Sequence, residues 1–319
     1  MQTVIVTGAG GYIGGQTAIA FYEAGYNVIG IDVQEPSVEL RKCFSKFLVS
    51  NFASEESLYV INKAEPYAII HCAGTSLVGP SVKNPKKYYE NNFVATKTLL
   101  DFVVDNKLST KIVFSSSAAT YGEPILPPCK EEDPPLPLSP YGESKLMCEM
   151  LLQSYKKAYQ HDFVAFRYFN VCGADSQGRH GQAPNATHII ARVLEALRDN
   201  NNITINGKDY PTEDGTCIRD YVHVEDIANA HLLAVKNHSV QGIYNLGTGT
   251  GYSNLEILNT ALQVAEKLDY PISWGESRPG DPAVLVGSAE KFSNLTGWKP
   301  THNLHSIISS AWNWYNREL

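Results

Sequence analysis

The chain's 319 residues, 43% of them apolar, suffice for one large or two medium domains with substantial cores. A net charge of −7 argues against nucleic acid or an anionic membrane as partner, and no apolar run approaches the length of a membrane span. Cys43, Cys72, Cys129, Cys148, Cys172 and Cys217 are scattered, without a C-x-x-C pair or zinc-like spacing, so a reduced, cytoplasmic protein without a metal is expected.

Thr3-Val4-Ile5-Val6-Thr7 is a short β-branched run of the kind that forms a buried parallel strand, and no signal peptide is expected ahead of it. It leads into Gly8-Ala9-Gly10-Gly11-Tyr12-Ile13-Gly14, then a helical pattern over residues 16–24 ended by Gly25. Asn27-Val28-Ile29-Gly30-Ile31-Asp32 reads as a second strand with an acid at its end. Strand, glycine turn, helix, strand and acid is the order that dinucleotide binding requires. Glycines let backbone approach a pyrophosphate at the helix N-terminus. Asp32 would accept from a ribose 2′-hydroxyl and repel a 2′-phosphate, which favours NAD over NADP. The spacing is G-x-x-G-x-x-G, and such turns also punctuate βαβ units that bind nothing; the acid in place favours binding.

Ala68-Ile69-Ile70-His71 and Lys111-Ile112-Val113-Phe114-Ser115 read as further strands, with a long helix over residues 88–106 between them. A turn-rich insert follows, with Pro124, Pro127, Pro128 and the acidic run Glu131-Glu132-Asp133, which reads as solvated surface. Ser139-Pro140 predicts a helix start, with serine as N-cap and proline at the first position, and the helix should run to about His161. Residues 163–168 form another strand. The alternation predicts a doubly wound parallel sheet in an α/β fold. After Asn170 the pattern loosens, with an amphipathic helix near residues 188–198. Arg219-Asp220-Tyr221-Val222-His223-Val224 and Ile243-Tyr244-Asn245-Leu246 look like returns to the sheet. The expected division is a nucleotide-binding domain over residues 1–170, its sheet completed by about 219–247, and a smaller substrate domain over 171–218 and 248–319. His71 and His223 read as structural rather than as ligands.

Tyr141-Gly142-Glu143-Ser144-Lys145 carries the chemistry. A tyrosine and a lysine four residues apart share one helix face. A tyrosine phenol titrates near pH 10, so a base working near neutrality needs about three units of lowering, roughly 4 kcal/mol, from nearby positive charge. The motif alone is weak, because tyrosine and lysine share many solvated helix faces. Phe114-Ser115-Ser116-Ser117 strengthens it: the serines end a strand, where a doubly wound sheet opens its ligand crevice. Serine-rich loops also occur as plain turns. Their place upstream of the Tyr141 helix favours the reading that Ser–Tyr–Lys moves a proton off an alcohol while hydride leaves its carbon.

These motifs resemble the extended short-chain dehydrogenase/reductase superfamily, and within it the UDP-glucose 4-epimerase family, nearly end to end. Residues 7–14 are similar to T-G-G-x-G-Y-I-G, His71-Cys72-Ala73-Gly74 to H-x-A-A/G, and Tyr88-Tyr89-Glu90-Asn91-Asn92 to Y-Y-x-N-N. Arg167-Tyr168-Phe169-Asn170 resembles R-Y-F-N, residues 210–221 resemble Y-P-T-x-D-G-T-x-x-R-D-Y, and Arg278-Pro279-Gly280-Asp281 resembles R-x-G-D. The resemblance implies a Rossmann domain with NAD as a retained cofactor, and reversible 4-epimerisation of UDP-galactose and UDP-glucose through a 4-keto sugar. It implies Tyr141 as base, Lys145 on the nicotinamide ribose and Ser117 on the sugar 4-oxygen. Gly8, Gly11, Tyr12, Ile13, Gly14, Asp32, Cys72, Ala73, Gly74, Asn92 and Ser115 would meet the cofactor. Asn51 and Phe52 would lie near its adenine, and Tyr168 near its nicotinamide. Asn170, Thr187, His188, Arg219, Arg278 and Asp281 would hold the UDP-sugar, the arginine forks matching phosphate oxygens. Surface ion pairing is the plainer reading of Arg219 beside Asp220. A homodimer is implied, with residues 88–106 and 141–161 pairing across a two-fold axis.

The chain departs from the family at Gly15-Gln16, where Ser-His is usual, and at Ser76, where some members carry lysine. Leu285 falls at a position said to gate the sugar pocket: a small residue there admits N-acetylated sugars, a tyrosine excludes them, and leucine is intermediate. UDP-pentoses and UDP-uronates are alternative substrates. A nucleotide-sugar 4,6-dehydratase needs an Asp-Glu pair after the cluster serine, and Ala118-Ala119 stands there instead. A catalytically silent nucleotide sensor would have lost Tyr141, Lys145 or the serine, and all are present.

Overall fold

The structure, a computed structural model, describes residues 1–124, 126–277 and 282–317. In chain order the strands are β1 (Thr3–Thr7), β2 (Asn27–Asp32), β3 (Lys46–Val49), β4 (Ala68–His71), β5 (Lys111–Ser117), β6 (Phe163–Tyr168), β7 (Asn170–Cys172), β8 (Ile203–Asn206), β9 (Ile218–His223), β10 (Gly242–Leu246), β11 (Gly251–Ser253), β12 (Ile272–Gly275) and β13 (Val284–Leu285). Seven of them form one parallel sheet in the order β10-β6-β5-β4-β1-β2-β3. The order reverses between β1 and β4, and that switch point is where an open α/β sheet leaves a crevice beyond its strand ends.

Alternation along the strands feeds two cores. Val4, Val6, Val28, Ile70, Val113, Val164 and Phe166 pack toward helices Tyr12–Glu23 and Val224–Lys236. Ile5, Ile31, Ile69, Ile112, Phe114 and Ala165 face the opposite way, toward helices Glu55–Ala64, Ala95–Asp105 and Pro140–Tyr159. Such two-sided burial is why the strands read as continuous apolar runs.

A second group holds helices Ile189–Asp199, Asn254–Val264 and Leu304–Tyr315 around their own core. One expectation needs correcting here. β10 completes the large sheet, but β9 does not join it. β9 pairs with β7, β11 and β13 in a separate sheet. The Asp220 carboxylate explains the difference: it accepts from Thr248 N, Thr248 Oγ1, Gly249 N and Gly287 N, tying the β10–β11 turn and the β13 segment to β9. The acidic run is also not simply solvated. Glu131 is half-buried and accepts from the Asn245 amide at 2.8 Å, anchoring the insert to β10.

Helix Pro140–Tyr159 begins as expected, the Ser139 hydroxyl accepting from Gly142 N with Pro140 at the first position. It ends at Gln160 in a left-handed conformation. The long helix of residues 85–105 contains a π-helical stretch, Tyr89–Val94, of the kind often found at functional sites.

Candidate active site

The glycine turn lies at the switch point, against the segment that follows β4. Gly8 has φ +70°, and a β-carbon on it would lie 2.6 Å from Ala73 N. A β-carbon on Gly14 would lie 2.1 Å from Gly8 O. These two glycines are demanded by the protein itself. Gly11 differs: it is exposed, and its nearest obstacle is Gly8 O at 3.2 Å. It precedes helix Tyr12–Glu23, whose first turn no side chain caps. The amides of Tyr12, Ile13 and Gly14 thus open on a cradle suited to an anionic diphosphate. Asp32, at the end of β2, accepts from Gly10 N at 2.9 Å and Gln34 N at 3.1 Å. Two backbone donors fix the carboxylate and leave lone pairs for ribose hydroxyls. On these observations the residues fit a dinucleotide.

Other residues expected at the cofactor have mixed placements. The Tyr12 hydroxyl donates to Gly173 O at 2.6 Å, so its ring braces the loop after β7. Asn51 is exposed and accepts from Ala53 N, while Phe52 is buried with its ring 4.6 Å from that of His71. Asn92 is buried and its amide is fully engaged with Thr75 N, Thr75 O and Ser144 Oγ. It spaces the Cys72–Gly74 segment from the Tyr141 helix; Gly74 has φ +157°, and a β-carbon there would lie 3.0 Å from Asn92 Oδ1 and 3.6 Å from Lys145 Nζ.

Lys145 is buried and donates to the Ser115 carbonyl at 2.7 Å, its Nζ 4.8 Å from the Phe114 ring centroid and 6.0 Å from that of Tyr141. Helix and strand are therefore clamped at Lys145. Ser117 closes β5, and its Oγ accepts from Ala119 N, which leaves its proton to donate outward. Ser115 Oγ meets the Tyr168 hydroxyl at 3.0 Å. Ser116 points the other way and donates to Glu149, which receives Arg167 through two contacts, Nε to Oε1 at 3.0 Å and Nη2 to Oε2 at 2.6 Å. Arg167 also stacks on Tyr121, 4.6 Å from the ring centroid, just past the Ser117 turn. Burial pushes the His71 imidazole down to about 3, the Lys145 charge adding to it, so it is a neutral link between Thr7 and Thr96.

Two positions here were not singled out from the sequence. Gly142 follows Tyr141, and a β-carbon on it would lie 2.4 Å from Ala119 O. The signal was available, a glycine inside a helix start. Glu149, one turn beyond Lys145, had no sequence signal to separate it from a solvated charge.

Of the residues expected at the substrate, Asn170 opens β7 in register with Tyr221. Arg219 is buried in β9, and its Nη1 donates to Ile218 O at 2.7 Å. Leu285 lies in register beside Arg219 and packs with Ala118, Tyr121, Cys129 and Phe169, on the turn that follows Ser117. Thr187 is exposed and His188 half-buried, immediately before helix Ile189–Asp199. Arg278 and Asp281 lie outside the described residues. Gly15 meets the expected question of helix packing: a β-carbon on it would lie 2.5 Å from His180 Nε2. Gln16 is buried and donates to Asp175 Oδ1.

Among the described residues, His223, Glu225 and His302 bring potential metal-ligand atoms within 4.8 Å of one another. Their geometry favours protons over a metal. The imidazoles stack at 3.8 Å with 16° between planes, so their in-plane lone pairs do not converge. His223 Nδ1 already accepts from Glu225 N, and Asp226 takes the His302 Nδ1 contact and raises that imidazole's pKa.

The NAD dependent epimerase/dehydratase family matches residues 4–247. A UDP-glucose 4-epimerase of Halalkalibacterium halodurans is 41% identical, covering 98% of this chain and 96% of that protein. The crystal structure of a UDP-glucose 4-epimerase from Brucella ovis in complex with NAD aligns with a TM-score of 0.93 at 35% identity, over 100% of this chain and 99% of that one. One from Bifidobacterium longum in complex with NAD+ and UDP aligns with a TM-score of 0.90 at 34% identity, over 98% of each chain.

Proposed function

The chain belongs to the NAD dependent epimerase/dehydratase family, and from that premise we infer that it is a UDP-glucose 4-epimerase with NAD as cofactor, interconverting UDP-galactose and UDP-glucose. The observation that carries the reading is the convergence at the strand ends of the Tyr141 helix, the Lys145–Ser115 clamp and the Ser117 turn, beside a glycine cradle fit for a dinucleotide.

In this reading NAD, when bound, would supply the hydride acceptor and donor for the sugar C4. The protein's own groups manage the rest. Tyr141 accepts the 4-hydroxyl proton and later gives it back, and Ser117 donates to the 4-oxygen. Lys145 holds positive charge beside the phenol and fixes the helix against β5. Gly11 and the amides of residues 12–14 hold the diphosphate of the cofactor, and Asp32 its adenosine ribose. Arg219, Asn170, Arg278 and Asp281 grip the uridine diphosphate, while Leu285 walls the sugar. A firmly held nucleotide and a loosely held sugar would let a 4-keto sugar turn over and present its other face to the cofactor. Ala118-Ala119, in place of an acidic pair, disfavours dehydration. In the same reading the enzyme is a cytoplasmic homodimer, paired through residues 88–106 and 141–161, and the substrate domain comprises residues 171–218 and 248–319.

The test is incubation of purified protein with UDP-galactose and no added NAD, followed by NMR of the anomeric protons. UDP-glucose should form and settle at one ratio from either starting sugar. Conversion only after NAD is added would mean a weakly held cofactor. No conversion with NAD demonstrably bound would reject the hexose assignment and turn attention to other UDP-sugars.

A further inference from the structure

A hydrogen-bonded chain runs from the catalytic strand to the dinucleotide helix through the core. Ser115 Oγ meets Tyr168 OH, Tyr168 OH meets His231 Nε2, and His231 Nδ1 meets Thr17 Oγ1 at 3.4 Å. Thr17 lies on helix Tyr12–Glu23 and His231 on helix Val224–Lys236. His231 is fully buried and stacks on Phe166, with ring centroids 5.4 Å apart and 8° between planes. The chain ends at the residue whose carbonyl receives Lys145, and Tyr168 lies close enough to Tyr141 for the two phenols to influence each other electrostatically.

The direction of the protons along this chain follows from the groups. Burial pushes the His231 imidazole down to about 3, so it is neutral, with one donor and one acceptor nitrogen. A phenol is a strong donor and a neutral imidazole nitrogen a strong acceptor, so Tyr168 donates to Nε2. The proton then sits on Nδ1 and is given to Thr17 Oγ1. With its own proton spent, the Tyr168 oxygen accepts from Ser115. Ser115 in turn keeps lone pairs for the crevice, where the Cys72 thiol is its neighbour.

We propose that His231 is a positioning residue for the reaction: by accepting the Tyr168 proton it sets the polarity of the Ser115–Tyr168–His231–Thr17 chain, so that the crevice side of Ser115 presents an acceptor beside the Lys145 clamp. This rests on the 4-epimerase reading for its kinetic consequences, though not for its chemistry. A reversed chain, with the proton on Nε2, would make Tyr168 donate to Ser115 and Ser115 donate into the crevice. One imidazole buried in the core thus decides whether the serine next to the lysine offers a proton or a lone pair.

The experiment has a spectroscopic arm and a kinetic arm. In protein carrying 15N-labelled histidine, the two-bond spectrum should show His231 in the Nδ1–H tautomer, the minority form of free histidine; the Nε2–H tautomer would overturn the proposal. This arm needs no turnover, so it stands even if UDP-galactose proves not to be the substrate. In the kinetic arm, His231→Phe should lower kcat about tenfold, the rate equivalent of one hydrogen bond, with KM and co-purified NAD content unchanged. Tyr168→Phe should lower kcat by a similar factor, and the double variant should be no slower than either single one, because both break one chain. Losses that multiply would mean independent structural roles and overturn the proposal. His231→Gln, whose amide oxygen can accept from Tyr168, should restore most of the rate lost in His231→Phe, and serves if the phenylalanine variant folds poorly. A glutamine variant as slow as the phenylalanine one would also overturn it.

Discussion

Gly142 and Ala119 are in direct backbone contact: a β-carbon on Gly142 would lie 2.4 Å from the Ala119 carbonyl oxygen and 3.0 Å from its carbonyl carbon. The residue after Tyr141 therefore rests on the turn that follows Ser117, and this contact sets the separation of Tyr141 and Ser117. Backbone cannot yield as a flexible side chain can, so Gly142→Ala must push the helix start away from the turn. Overpacking of this kind costs about 1–3 kcal/mol. Gly142→Ala is expected to lower the urea midpoint accordingly and to cut kcat more than tenfold. Wild-type turnover in this variant would show that the Tyr141–Ser117 spacing is not critical.

Tyr141 and Lys145 separate by role. Tyr141→Phe removes the phenol proposed as proton acceptor and leaves the packing, including the edge contact with the Tyr88 ring at 6.4 Å between centroids. Turnover should fall by about 10²–10⁴, the usual worth of a general base, with little change in thermal stability. Lys145→Met loses the positive charge and the contact to Ser115 O together. It should lose both rate and stability, and unfolding curves for the two variants distinguish these outcomes.

A buried ion pair underlies the serine strand. Glu149 and Arg167 are 1% and 3% exposed, and Glu149 also receives Ser116. Glu149→Gln leaves the guanidinium without its counter-charge, and breaking such a pair from one side costs about 3–5 kcal/mol. Replacing both partners by apolar residues, as in Glu149→Leu with Arg167→Met, should recover much of that loss. Equal destabilisation by the single and double changes would show that the ionic contact itself carries little.

What could be read from the chain and what could not divide along physical lines. The strands of the large sheet are buried on both faces, so β1, β2, β4, β5 and β6 appear as apolar runs. The Ser139-Pro140 start follows from local chemistry alone. β3 was missed because its four residues are only partly buried at the sheet edge and lack a strong apolar signature. The sheet membership of β9 depends on what Asp220 grips tens of residues away, which no local pattern encodes. The same holds for the site. Tyr141, Lys145 and Ser117 stand in spaced motifs, whereas Glu149 and His231 act through partners distant in sequence and look like ordinary surface or core residues until the fold joins them.

Neutral buried histidines give the fold an acid limit. His71 and His231 are pushed down to about 3 by burial, against about 6.5 in an unfolded chain. Below about pH 6.5 the unfolded state takes up protons that the folded state refuses, so their contribution is complete above that pH and is lost as pH falls toward 3. Each such group adds a slope of about 1.4 kcal/mol per pH unit across that window. His302 works in the opposite sense: Asp226 raises it, so its contribution is present at low pH and fades as pH rises through its folded-state value. Urea unfolding at pH 7, 6 and 5 should show falling stability, and His71→Gln should flatten the slope. An unchanged slope in that variant would mean that His71 titrates normally in the folded protein.

Leu285 offers a test of the sugar wall. It lies beside Arg219 in the β9–β13 pairing and packs on Ala118 and Phe169, so its side chain stands between the arginine strand and the Ser117 turn. In the proposed reading, a wall at that place would meet whatever projects from the sugar ring. Leu285→Gly removes four carbons from it and should raise kcat/KM for UDP-N-acetylglucosamine relative to UDP-glucose by about tenfold or more, the scale of discrimination that apolar pocket atoms provide. Leu285→Tyr should move the ratio the other way. The ratio is the informative quantity, because a general loss of stability or of nucleotide grip lowers both substrates together and cancels. If neither variant moves it, the sugar does not lie against β13, and the residues that select the substrate must be sought on the loop after Asn170.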